Sequence, residues 1–284
     1  MSAVIAELRA AADEAPPARA VPRRLRARLA AALAQAASVA AFVALWQLLT
    51  AAHASLGVVT FANVPTPLAA LEAGRELLHS PRLAQHLAFS LWRVAAGFTG
   101  AALAGIALGL AIGRFAWARR ALLPPLELLR PIPAVAWIPL SILMFPSTEL
   151  SMVFITFIGA LFPVLLNTIH GVEGVDRRLV ASARSLGTGR WRMFAQVIVP
   201  AAAPSIATGL AIGMGTCWFC LVSAEMISGQ FGIGYYTWES YTLQNYGGIV
   251  VGMLVIGLFG MGSSALIRLA ARLAMPWTAA GAAR

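Results

Sequence analysis

The sequence contains no lysine, only two cysteines in 284 residues, and 11% charged residues, against about 25% in a soluble globular domain. Each scarcity excludes something. Without lysine the phosphate-binding loop GxxxxGK[ST] cannot be written, so energy from a nucleotide has to come through another chain. The two cysteines form Cys217-Trp-Phe-Cys220 inside an apolar stretch with no soluble βαβ context, so packing rather than redox chemistry is expected of them. The four histidines, His53, His79, His86 and His170, are scattered with no HExxH pair, and no two carboxylates share a helix as an acid/base couple, which argues against a membrane-embedded enzyme.

What replaces charge is apolar length. Hydrophobic residues make up 60% of the chain, and runs free of Asp, Glu, Lys and Arg cover 29–71, 94–113, 131–148, 150–172, 193–224 and 240–267, each 18 residues or longer. A helix needs about 20 mostly apolar residues to cross a bilayer, so the expected fold is all-α, a polytopic membrane protein with six transmembrane helices. The formal charge of +10 is a topology signal rather than a nucleic-acid footprint: only Arg75, Arg82 and Arg93 fall on or near one side, and the other 18 of the 21 arginines fall on the other. The positive-inside rule then places both termini in the cytoplasm.

Residues 1–28 mix acids, arginines and prolines and read as a disordered tail with a basic anchor, and the apolar run that follows is too long for a cleaved signal segment. After Val64-Pro-Thr-Pro67, residues 68–79 read as a short amphipathic helix on the far side. In span two, Ala101, Gly105, Gly109 and Gly113 recur every four residues, a stripe of small side chains that lets another helix approach. Five prolines between 122 and 145 kink span three, and such a segment is tolerated only where protein or a water-filled cavity covers the freed backbone groups. Residues 171–199 read as a helical hairpin on the cytoplasmic side, with Asp176 capping its first helix to about 186 and a second over 190–197 before Pro200 opens span five. A hairpin of that size is not needed merely to connect two spans, so it is a docking candidate. The far-side stretch 224–245 carries aromatics that fit an interfacial belt better than a ligand-stacking surface.

Ala181-Ser182-Ala183-Arg-Ser-Leu-Gly187, followed after nine residues by Val197-Ile-Val-Pro200, resembles the EAA loop of ABC-transporter permeases of the binding-protein-dependent importer type. Spacing agrees throughout; Ala181 stands where the pattern has Glu and Ser182 where it has the first Ala. Pro65-Thr-Pro67, His86, Ser90-Leu-Trp-Arg93, Gly97, Leu129-Arg-Pro-Ile-Pro133, Ala136-Trp-Ile-Pro139, Ala224-Glu-Met226 and Gly232-Ile-Gly-Tyr235 are similar to the branch that imports nitrate, alkanesulfonates, taurine, bicarbonate or pyrimidine precursors, the similarity spanning 65–272.

That resemblance implies the type I importer permease fold in a bacterial inner membrane, with no catalytic residue and no cofactor bound by this chain. ATP and Mg would sit on a cytoplasmic ATPase pair docked on the hairpin, with Ala181, Ser182, Ala183, Arg184, Gly187, Arg190, Met193 and Pro200 as the coupling set. It also implies a periplasmic binding protein and a second permease copy, most simply a homodimer. The expected segments are 1–28 (tail), 29–56 (first span), 57–81 (periplasmic segment), 82–272 (transmembrane core, coupling loop 171–199) and 273–284 (cytoplasmic tail). Glu225 follows 32 uncharged residues, and a carboxylate so placed normally faces a polar cavity or a partner. Glu225 and Met226, with Trp137 and Pro139, are therefore expected along the pathway or its gate, a pair between Glu225 and Arg93 being the alternative. Arg93 itself would suit an oxyanion or simply snorkel. A gradient-driven carrier should place ionisable groups at mid-membrane, and the middles of these six runs have no Asp or Glu.

Overall fold

The computed structural model describes residues 23–55 and 57–277, so the tail expectations for 1–22 and 278–284 lie outside the described residues. Within them the secondary structure is helical apart from one antiparallel bridge between Ser55 and Thr60. The chain divides into two units, residues 1–67 and 68–284.

The first unit holds α1 (Arg23–Ala51). The helix is already formed at Arg23, the first described residue, and its stretch long and apolar enough to cross a membrane is Ala30–Ala51. Its last turns are tied down: the Trp46 indole donates to the Pro65 carbonyl at 3.1 Å and the Thr50 hydroxyl to the Trp46 carbonyl at 2.9 Å.

The second unit begins with α2 (Pro67–His79), which buries Ala70, Ala73 and Leu77 and packs on Val251. Three long helices form its centre: α3 (Leu83–Arg114), α6 (Thr148–Glu173) and α8 (Arg190–Ser228). α6 lies between the other two, and both seams depend on missing side chains. On the α3 side, a Cβ at Gly97 would stand 2.8 Å from the Val153 carbonyl, and one at Gly109 would stand 2.9 Å from that of Leu165. Ala101 is fully buried, and Gly105 and Gly113 meet Val164 and Val172, so the four-residue stripe lies along α6. On the α8 side, Gly209 and Gly213 approach the carbonyls of Pro163 and Ala160, and Gly159 packs under Cys220. Cys217 and Cys220 are both buried in this seam as free thiols. Pro163 cannot donate to the Gly159 carbonyl, and the Thr216 hydroxyl of α8 donates to it instead at 2.8 Å.

Span three differs from a single kinked helix. It is α4 (Ala116–Leu129), a break, a 3-10 turn over Ala134–Trp137, and α5 (Ile138–Met144), the two halves meeting at 85°. Pro124 and Pro125 stay inside α4, and the chain turns where Pro131 and Pro133 remove two donors on either side of Ile132. Among the described residues five helices are long and apolar enough to cross a membrane, and the bent pair, counted as one span, makes a sixth.

Pro200 does not open a new helix. α8 is continuous over 39 residues, with a π-helical segment at Phe194–Ile198 just before the proline. The widened turn shifts the hydrogen-bond register where the proline lacks a donor, so the second half of the expected hairpin is the first turns of this span. The hairpin's first helix is α7 (Arg177–Ser185). Beyond α8, the aromatic stretch forms α9 (Ile233–Thr242), and α10 (Tyr246–Ala274) closes the unit, with the Trp218 indole donating to Ser263 at 2.9 Å. α10 runs two residues beyond the expected core limit at 272.

Candidate functional site

Two places gather chemistry, one at each end of α6 and α8. At the hairpin end, Asp176 caps α7 by accepting from the Arg178 amide at 2.8 Å. Gly187 stops it with φ at +74°, its amide donating to the Arg184 carbonyl at 2.9 Å and that of Thr188 to Ala183 at 3.1 Å. This is a Schellman closure, in which glycine holds the left-handed position at least cost. The coupling set divides by face. Met193 is buried and Ala183 half-buried, packing with Val172, Ile198 and Ile206, and Pro200 is half-buried in α8; Ala181, Ser182, Arg184, Gly187 and Arg190 are exposed. Sequence reasoning passed over Leu186 and Trp191, which are 85% and 77% exposed beside that set. Arg114, Arg184, Arg190 and Trp191 rim an open cleft of about 870 Å³. Behind it, Arg119 of α4 donates to Glu173 at the end of α6.

At the far end the arrangement inverts: the charges are inside. Arg93, 1% exposed, donates through Nε and Nη2 to both oxygens of Glu149 at 2.9 and 2.5 Å. Its Nη1 donates to Glu225 Oε1 at 2.8 Å and to the Phe231 carbonyl at 2.6 Å. Ser90 donates to the same Glu225 oxygen at 2.8 Å. The three successive amides that open α9 are each received by a side chain from another helix: Gly232 by His86 Nδ1 at 3.1 Å, Ile233 by Ser90 Oγ at 2.9 Å and Gly234 by Glu225 Oε2 at 2.9 Å. Because His86 Nδ1 accepts, its ring proton sits on Nε2. Gly232 has φ at +134° and lies directly over the Glu225 carboxylate, where any Cβ would overlap it. Among the described residues no buried side-chain nitrogen or oxygen lacks a partner. On the flank, burial pushes the Tyr236 phenol above its ordinary value, opposed by its hydrogen bond with Ser240.

This geometry bears on two expectations. Glu225 does not face a cavity: its side chain is fully enclosed and paired with Arg93, because a carboxylate this far along an apolar helix is held by a cation and hydrogen-bond donors when they are within reach. Arg93 is not presented to a solute, since it is 1% exposed and the two carboxylates and the Phe231 carbonyl take four of its five N–H groups. The other pathway candidates make no hydrogen bond to this pair. Trp137 is half-buried with its ring edge toward Phe154 at 6.5 Å, Pro139 is exposed in the first turn of α5, and Met226 is half-buried on α8. Among the described residues no cluster of His, Cys, Asp and Glu could hold a metal ion.

Residues 101–279 match the family described as the binding-protein-dependent transport system inner membrane component. A putative ABC transporter permease of Methanocaldococcus jannaschii is 38% identical over 226 residues, 76% of this chain and 81% of that protein. A nitrate import permease protein of Synechocystis is 34% identical over 226 residues, 76% and 80% of the two chains. A putative aliphatic sulfonates transport permease protein of Escherichia coli is 37% identical over 237 residues, 84% and 89%. The chain therefore belongs to the family of binding-protein-dependent inner membrane components: it is a permease of an ABC importer, a non-enzymatic multi-pass subunit that forms the membrane path for a solute and works with an ATPase and a substrate-binding protein.

Proposed function

We propose that this permease carries a small oxyanion, nitrate or an organic sulfonate, and that ATP hydrolysis is coupled to it through the hairpin at 174–193. The substrate class rests on the relatives whose names specify nitrate and aliphatic sulfonates, each covering three quarters of the chain or more. Arg93 contributes nothing to it, so recognition of the anion belongs to the binding protein and to the uncharged walls of the path. Two copies of the chain enclose that path, with Trp137, Pro139 and Met226 along it. Both termini face the cytoplasm, and the protein sits in the inner membrane.

The observation that carries the coupling assignment is the hairpin surface. A hairpin that only joined two spans would have no reason to present Leu186 and Trp191 bare among Arg184, Arg190 and Arg192. Apolar residues rimmed by charge mark an interface, and here the ATPase is the partner. The test is co-purification of the ATPase with wild-type permease and with Leu186→Asp/Trp191→Asp. Loss of the ATPase with intact membrane insertion supports the reading, and an undiminished complex refutes it. The substrate class is tested by uptake of labelled nitrate and of an alkanesulfonate into liposomes holding the whole transporter.

A further inference from the structure

We propose that Arg93 is a positioning residue of the transport cycle: its guanidinium joins the far ends of the two helices that flank the hairpin, α6 through Glu149 and α8 through Glu225, and passes their movement to α9 through Phe231. The proposal rests on reading the hairpin as the coupling element. α6 ends at Glu173 and α8 starts at Arg190, so whatever moves the hairpin moves both helices. Their bodies transmit rather than absorb the displacement, because Gly159, Gly209 and Gly213 bring the two backbones together in a close-packed seam.

At the far end, beyond the seam contact of Gly159 with Cys220, apolar packing alone would not tie the two helix ends to α9. The planar fork of an arginine does, since it fixes several acceptors in one geometry. Glu149 receives two donors, and the remaining terminal nitrogen is shared by Glu225 and the Phe231 carbonyl. The next three residues are held in turn by His86, Ser90 and Glu225, so the N-terminus of α9 has no independent freedom. A network whose arginine and inner carboxylate are both buried and hydrogen-bonded resists being half broken. α9 then moves with the far ends of α6 and α8, carrying its exposed Trp238 and Tyr241 on the outer face of the unit.

The experiment uses the full transporter in liposomes, with the solute-binding protein that stimulates wild-type ATP hydrolysis. Two variants are compared. Arg93→Lys keeps the charge but not the fork, and Arg93→Met/Glu149→Gln/Glu225→Gln replaces the ion pairs by neutral groups of similar size while leaving an amide oxygen at position 225 to accept from Gly234 or Ser90. Solute imported per ATP hydrolysed should fall by about tenfold in both. A spin label at Tyr241→Cys, with Cys217 and Cys220 replaced by alanine, should shift on nucleotide trapping with native Arg93 and stay still in the variants. Wild-type import per ATP in either variant would reduce the network to a structural staple and overturn the proposal. If neither variant assembles, a label that does not move with native Arg93 overturns it equally. A wild-type transporter with no ATP-driven import refutes the proposed function itself, a different result from any of these.

Discussion

The two ends of α6 and α8 solve opposite problems with similar side chains. At the far end Arg93 and Glu225 are folded inward, Glu149 joins them from a half-exposed position, and the start of α9 is held by groups from α3 and α8. At the hairpin end arginines stand outward around apolar residues, and the hairpin closes on itself through its own cap and its own Schellman turn. One end is built to keep four segments in register; the other is built to be held by something else. The cost of changing a residue should follow that division.

The sharpest break in the comparison is at Glu225. Glu225→Ala leaves Arg93 with one carboxylate and strips Ser90 and the Gly234 amide of their partner, and removing one member of a buried pair costs about 3 to 5 kcal/mol. A melting temperature in detergent should drop steeply, while Glu149→Ala, whose side chain is 46% exposed, should cost clearly less. Equal losses would show that the inner carboxylate has no special place. Next comes Ser90→Ala, which removes one donor and one acceptor from the α9 cap and should cost about 1 to 3 kcal/mol in the same measurement. At the other end, Asp176→Ala deletes a helix cap worth about 1 kcal/mol. Its effect should show as faster amide exchange confined to 177–187, with the far end unchanged. Exchange that spreads to 225–234 would erase the distinction between the two ends.

How much of this was legible beforehand follows from the range of each signal. The spans are written in charge-free runs, and the α3 seam in a small residue every fourth position, because both depend on neighbours within one helix. The α7 cap and its glycine stop are local as well. What escaped is set by long-range contacts. The capping of α9 joins His86 to Gly232, 146 residues apart, and no periodicity announces that. Glu225 was identified as a residue in need of a partner, but the choice between a cavity and Arg93 depends on how α3 leans on α8. Pro200 misled because proline usually marks a helix start, whereas here a π turn ahead of it carries the helix through.

The smallest effect, and the one that best separates strain from docking, is at Gly187. Its φ of +74° disfavours any residue with a Cβ, yet an ideal Cβ there meets nothing within 4 Å. Gly187→Ala should therefore cost the hairpin about 1 kcal/mol of backbone strain and nothing in sterics, and Gly187→Asn less, since Asn tolerates the left-handed region. Gly187→Trp carries the same strain as Ala but puts a bulky ring on the exposed face beside Leu186. If the hairpin surface seats the ATPase, Ala and Asn should keep most ATP-driven import while Trp loses it, with all three inserted in the membrane at wild-type levels. If Ala abolishes import as fully as Trp, the turn's conformation governs coupling and the bare surface does not. If Trp imports at the normal rate, the docking assignment for this turn is wrong.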